Sequence, residues 1–466
     1  MFLKKKLFNN TKTAIILPNG KHISYFELER YAEKIYDKIN NRCLVFCLSS
    51  NDIGSMCGYL SFMTNKVVPL LLDISIQKSF LKSLIKVYKP KYLWIPNNRV
   101  NEIEFVEKLI SLFNYTLLKV EQNSNYIIND NLALLLTTSG SSGSPKLVRL
   151  SYENINSNAA SISKYLSINE NERPITTLPM SYSFGLSIIH SHILASSTIL
   201  LTNHSLMEKE FWNHLVRYKA TSLSGVPYTF EMLKKLKFFN LKLPHLKTLT
   251  QAGGRLEDDL SKQFANYCHK SGKLFYIMYG QTEASPRMSY LPPEFSISKI
   301  GSIGTTIPGG EFYLIDDSGK KIIKNNTTGE LVYKGPNVAM GYALNIEDIA
   351  KNDQNNGLLF TGDMAERDTD GFYYISGRKK RFIKIYGNRI SLDQLETLLK
   401  NITLEVACSG GDDSLIVFIT DIKYFKRIKI FIHEKIKINY NSFRIKIIDT
   451  IPINSSGKII YHQLPL

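Results

Sequence analysis

Apolar positions in the first 300 residues follow two alternating rhythms. Leu28, Tyr31, Ala32, Ile35 and Ile39 recur at helical spacing. Ser24 and Glu27 ahead of them make the Ser-x-x-Glu pattern of a capping box. Cys43 to Leu48 is then a short, unbroken apolar run, the mark of a buried strand. Gly58 to Met63 reads as helix and Val67 to Leu72 as the next strand. Similar runs stand at Tyr92 to Ile95, Leu132 to Leu136, Thr198 to Leu201 and Leu274 to Tyr279. A strand covered on both faces has no polar side, so such runs between helices predict α/β layers with parallel strands.

The rhythm changes near residue 300. Gly301, Gly304, Gly309 and Gly310 punctuate short runs such as Glu311 to Ile315 and Gly329 to Tyr333. That pattern predicts a small antiparallel sheet or barrel. From Gly377 the chain turns basic, with Arg378, Lys379, Lys380, Arg381 and Lys384. A helix over Leu392 to Leu399, a strand over Ser414 to Thr420 and a basic amphipathic stretch over Tyr424 to Ile438 follow. These place a boundary at about 378, dividing the chain into 1–377 and 378–466.

Composition adds less. Of 466 residues, 44% are hydrophobic and 21% charged, which excludes a collagen-like or disordered chain. Lys plus Arg is 58 against 41 for Asp plus Glu, a net charge of +17. That excess fits nucleic acid, an anionic surface, an acidic partner, or simply a Lys-, Ile- and Asn-rich composition. Five scattered cysteines without a zinc-ligand pair fit a reducing compartment. With no secretory leader and no transmembrane segment, the expected location is cytoplasmic.

The strongest chemical signal runs from Leu134 to Lys146. An apolar strand enters a loop of glycines and hydroxyl residues, Thr137-Thr138-Ser139-Gly140-Ser141-Ser142-Gly143-Ser144-Pro145, closed by Lys146. Glycines admit a ligand close to the backbone, and N–H groups, hydroxyls and a lysine together suit a polyphosphate. Pro145 between Ser144 and Lys146 breaks the Walker pattern.

Four further segments follow in order: Met278-Tyr279-Gly280-Gln281-Thr282-Glu283-Ala284-Ser285; Phe360-Thr361-Gly362-Asp363 with Asp370-Gly371-Phe372; Gly377 to Lys384 with Gly387, Ile390 and Glu396; and Ile451 to Ile459, containing Gly457-Lys458. Together the five span about two thirds of the chain, and the sequence resembles the acyl-adenylate-forming superfamily. Its members include acyl-CoA synthetases, peptide-synthetase adenylation domains and luciferases. Several segments also resemble, in wording, adenylating enzymes of bacterial surface-polysaccharide clusters.

The resemblance implies a large N-terminal domain of two α/β subdomains plus a small β-barrel, followed by a small mobile α+β C-terminal domain. It implies an AMP-forming acid–thiol ligase that uses ATP and Mg²⁺. A carboxylate attacks the α-phosphate and pyrophosphate leaves. An anion attacks an anion there, so positive charge and donors must meet the developing charge.

By that resemblance Thr138, Ser139, Gly140, Ser141, Ser142, Gly143 and Lys146 would cradle phosphates. Thr282 would donate to the α-phosphate, and Glu283 would hold Mg²⁺, which takes oxygen ligands. Tyr279 and Gly280 would meet adenine, with Gly253 and Gly254 opposite. Asp363 would accept both ribose hydroxyls, and Arg378 would reach ribose or phosphate. Lys458 would bridge the acid and ATP as the main catalytic group. Lys380 would be the hinge, and the Gly387 region would face the incoming thiol after domain alternation.

Leu178 to Leu186 matches the segment lining the acyl pocket, for which Tyr182, Phe184, Ser224, Val226 and Met278 are candidates. No acid stands between Leu178 and Leu194 to hold a substrate ammonium, which would be costly to bury unpaired. A simple carboxylic acid is therefore expected rather than an amino acid. The acceptor is coenzyme A or the phosphopantetheine of a separate acyl carrier protein, which the basic C-terminal stretch would steer. His190 and His192, two apart, do not share a helical face. Three positions depart from the family pattern: Leu147, Arg381 and the compressed turn Gly410-Gly411-Asp412-Asp413. The competing readings are an amino-acid-adenylating carrier-protein ligase, a nucleotide-binding pseudoenzyme and a nucleic-acid binder. No recognised nucleic-acid motif supports the last.

Overall fold

The Ser24 cap forms as the sequence predicts. Its hydroxyl accepts from the Glu27 N–H, and the Glu27 carboxylate accepts from the Ser24 N–H. The helix Tyr25–Tyr36 buries Leu28, Ala32 and Ile35. The computed structural model describes residues 9–39, 41–120, 126–137, 146–385, 388–411, 413–435, 438–453 and 459–465.

Two large sheets carry the α/β part. In the eight-stranded sheet, Leu132–Thr137, Val68–Asp73, Leu44–Ser49 and Tyr92–Pro96 lie side by side in parallel. In the nine-stranded sheet, six neighbouring strands from Leu274–Gly280 to Thr13–Ile16 are parallel. Both sheets end in antiparallel strands that the sequence did not separate from parallel ones. Leu147–Ser151 and Gly341–Ala343 border the first, and Arg287–Leu291 and Thr305–Thr306 border the second. Apolar content reports burial, not strand direction.

Two helices that are buried all round pack in one core with both sheets. Ile53–Thr64 is buried from Gly54 to Met63, and Ser183–Leu194 from Ser183 to Ile193. The first begins earlier than its apolar run because Asp52 caps the Ser55 N–H. Gly58 lies against the Trp94 indole, where a Cβ would stand 2.3 Å from the ring nitrogen.

The glycine-punctuated region is a five-stranded antiparallel sheet whose end strands, Lys321–Ile322 and Tyr373–Arg378, do not pair with each other. After the single turn Lys379–Arg381 the chain builds a separate α+β unit. It has the hairpin Phe382–Ile385/Asn388–Ser391, a three-stranded sheet, and helices Leu392–Leu399 and Phe425–Lys435. That unit has its own core, including Leu395, Leu399, Val417 and Ile432. The compressed turn joins Val406–Gly411 to Ser414–Ile419. Gly410 has φ +137°, and a Cβ there would stand 2.0 Å from the Ser414 carbonyl oxygen.

All five cysteines are buried and free. Among the described residues no helix is long and apolar enough to cross a membrane.

Candidate active site

Three parallel strands of the nine-stranded sheet, Ser222–Gly225, Thr248–Gln251 and Leu274–Gly280, run in register, with Ser224 beside Thr250 and Thr250 beside Tyr276. Their carboxyl ends release Val226, Gly253-Gly254 and Gln281-Thr282-Glu283 at one edge. Ligands of open α/β sheets bind at such an edge. Gly253 has φ +85°, and a Cβ there would stand 2.7 Å from the Tyr182 hydroxyl and 3.0 Å from Val226. Gly254 packs against Pro227 and Gly280 against Pro286.

The five pocket candidates come together. Tyr182, Phe184, Val226 and Met278 belong to one apolar cluster with Tyr165 and Ile188. Ser224 is buried in the adjoining cavity wall, where its hydroxyl accepts from Thr250 at 2.7 Å. Thr282 lies at the edge of the same region, its hydroxyl 3.0 Å from that of Ser183.

A second cluster gathers around Asp363, which is 3% exposed. Its strand pairs Asp363 directly with Arg378, and the Arg378 guanidinium meets the carboxylate at 2.6 Å. The Tyr279 hydroxyl donates to the same carboxylate, as does Gln281 at 2.8 Å. Burial pushes the Asp363 carboxyl up from its usual range, and Arg378 opposes that. Burial likewise raises the Tyr279 phenol, so it stays a donor.

Lys146 and Glu283 meet through a residue the sequence reading missed. The Lys146 ammonium lies 3.3 Å from the centroid of the Tyr342 ring, and the Tyr342 hydroxyl donates to Glu283 at 2.8 Å. Tyr342 reaches this position because Gly341–Ala343 pairs with Leu147–Ser151, directly after Lys146. That pairing accounts for Leu147 as well: it is a fully buried strand residue. Gln281 and Ser183 were also missed as contacts, although Gln281 lies inside a quoted motif.

The remaining candidates divide. Thr138, Ser139, Gly140, Ser141, Ser142, Gly143, Gly387 and Lys458 lie outside the described residues. Lys380 is in the turn Lys379–Arg381. On one side of it Lys379 meets Glu330 at 2.6 Å. On the other, Arg381 pairs with Asp393 and Glu396 and stacks on Tyr461 at 3.6 Å. The departure at Arg381 thus has local partners. His190 bonds Tyr59 and His192 the Ile188 carbonyl. Burial lowers their pKa values to about 3 and about 4, so both rings are neutral.

Comparison with known proteins decides the family. The family described as AMP-binding enzyme matches residues 86–343, more than half of the chain. The chain belongs to the AMP-binding enzyme family. Similar AMP-binding relatives include the 2-succinylbenzoate–CoA ligase of Bacillus subtilis, 28% identical over 291 residues. That match covers 62% of this chain and spans 58% of the ligase's length. The 2-succinylbenzoate–CoA ligase of Listeria innocua is 25% identical over 97% of this chain and 96% of its own. Luciferin 4-monooxygenase of Photuris pensylvanica is 25% identical over 88% of this chain and 84% of its own. In fold, the chain resembles O-succinylbenzoate coenzyme A synthetase from Bacillus subtilis in complex with ATP and magnesium. The TM-score is 0.80 at 21% identity, covering 99% of this chain and 98% of that one.

Proposed function

We propose that this AMP-binding enzyme activates a carboxylic acid as an acyl-adenylate at the expense of ATP, releases pyrophosphate, and passes the acyl group to a thiol. The observation that carries this reading is the convergence of Asp363, Tyr279 and Arg378 with Lys146, Tyr342 and Glu283: Tyr279 and Glu283 come from the end of one parallel strand, and Arg378 acts electrostatically on both Glu283 and Tyr342.

Asp363, fixed by Tyr279, Gln281 and Arg378, presents a rigid carboxylate to the ribose hydroxyls. Tyr279 spends its hydroxyl on Asp363, which leaves its ring for adenine, opposite Gly253 and Gly254. Thr282 donates to the α-phosphate, and Lys146 extends positive charge toward the polyphosphate with the Thr138–Gly143 loop. Glu283 fits Mg²⁺ in donor chemistry. It has no ion-pair partner among the described residues, and Tyr342 fixes one oxygen. When bound, Mg²⁺ neutralises phosphate charge.

Lys458 joins the acid to the nucleotide in the first half-reaction. The boundary is at residue 378, with Lys380 as hinge and the Gly387 region turned to the thiol in the second. The names of the ligases among the relatives support coenzyme A as the acceptor. Phosphopantetheine on a separate carrier protein is the other arm of the test. ATP–pyrophosphate exchange with a panel of acids tests the first step, and coenzyme A against carrier protein tests the second. Lys458→Ala is expected to lose exchange while retaining ATP binding. Unchanged exchange in that variant would sink the assignment.

A further inference from the structure

We infer that Arg287 forms the floor of the acyl site and that the acid activated here carries a second carboxylate, which pairs with the Arg287 guanidinium. The inference rests on the adenylation reading and specifies its substrate class.

Arg287 is 2% exposed, and no acid lies within ion-pair distance of it among the described residues. Its guanidinium lies on the Phe184 ring at 3.8 Å and bonds the Tyr165 hydroxyl. Its Nε is buried without a hydrogen-bond partner. A second buried arginine in the same chain shows what a structural role requires. Arg149, 0% exposed, donates to the carbonyls of Met340, Tyr342, Lys351 and Asn352 and to Gln354. Among the described residues Arg287 has no such cage.

The arginine is nonetheless held firmly. Asn158 and Asn337 each donate to its carbonyl oxygen, at 3.0 and 2.8 Å. Tyr165, which receives the guanidinium, donates in turn to the Met278 sulfur at 3.0 Å. A buried charge without a counter-charge is costly, and a fork of N–H donors matches a carboxylate in two-point contact.

The setting favours a ligand as that counter-charge. Arg287 lines a small cavity of about 20 Å³, room for about one water, walled by Ser187, Ser191, Ser224, Thr250 and Ile188, so a carboxylate enters it only as these side chains part. Glu172 also lines it but bonds Thr221 and faces Lys247 at 3.8 Å. Phe184 beneath the guanidinium follows Ser183, whose hydroxyl meets Thr282. Arg287 thus sets a cation against a ring of the acyl cluster, one residue from the hydroxyl that meets Thr282. An α-ammonium would face that cation unfavourably.

The test is ATP–pyrophosphate exchange by the full chain with matched pairs: succinate and butyrate, glutarate and valerate, phthalate and benzoate. The wild type is expected to use a dicarboxylate at least ten-fold better in kcat/KM than its partner, and Arg287→Gln to bring that ratio to about one. Arg287→Lys, which keeps the charge but not the fork, is expected to fall between. A wild-type preference for the monocarboxylates, which needs no variant to fold, overturns the inference while leaving adenylation standing. So does an unchanged ratio in Arg287→Gln. Exchange with no acid of either kind overturns the adenylation reading itself.

Discussion

Tyr342 gives the most discriminating prediction, because one side chain touches the proposed phosphate lysine with its face and the proposed metal carboxylate with its hydroxyl. Tyr342→Phe removes only the hydroxyl. A hydrogen bond to a charged group contributes about 1.5–3 kcal/mol. Glu283 is only partly buried, so water recovers some of that. We expect a net loss of about 1–2 kcal/mol, roughly 5- to 30-fold. The loss belongs to the orientation of Glu283, so it appears as a higher Mg²⁺ concentration for half-maximal pyrophosphate exchange. The phenyl ring still lies under Lys146, whereas Tyr342→Leu removes that contact too, worth about 0.5–2 kcal/mol. The cycle of Tyr342→Leu with Lys146→Met should show that contact as coupling, and the cycle of Tyr342→Phe with Lys146→Met should show little, because the ring remains. An unchanged Mg²⁺ dependence in Tyr342→Phe would refute the reasoning.

Other consequences follow from the same contacts. Arg381→Ala leaves the buried Glu396 carboxylate without its cation and should cost about 3–5 kcal/mol in urea unfolding. Burial already raises the Glu396 carboxyl, and loss of Arg381 raises it further. Stability from a raised carboxyl is present at low pH and lost as pH rises through its folded value, so the variant's deficit should shrink from pH 7 to pH 5. Gly410→Ala places a methyl against the Ser414 carbonyl at a left-handed φ and should lower stability by about 1–3 kcal/mol in thermal unfolding. Asp363→Ala should abolish the rise in melting temperature that ATP produces; a retained rise would count against the ribose role.

Residues that act through local order were legible in the sequence. The Ser24–Glu27 cap, the Leu392–Leu399 helix and the strand at Leu274 follow from neighbours a few positions apart. Tyr182 and Phe184 stand in one family segment, whereas Val226 and Met278, which share their apolar cluster, come from separate stretches that only the resemblance grouped with them. Tyr342 and Arg287 were not legible, because their roles depend on pairing between distant strands. Gly341–Ala343 meets Leu147–Ser151 only once the eight-stranded sheet has formed. Arg287, on a short antiparallel strand, reads like a surface residue until the helix Ser183–Leu194 is packed over it. The hairpin Glu107–Leu112/Tyr115–Lys119 was missed for a related reason: its first strand is partly exposed and carries no unbroken apolar run.

The central claim is that this chain joins a carboxylic acid to AMP. Acid-dependent exchange of labelled pyrophosphate into ATP measures that step alone, without a thiol. The account predicts exchange that requires both Mg²⁺ and a carboxylic acid and that is lost in Asp363→Ala and Lys458→Ala. Exchange that persists in both variants, or no exchange with any acid of the panel, would contradict it.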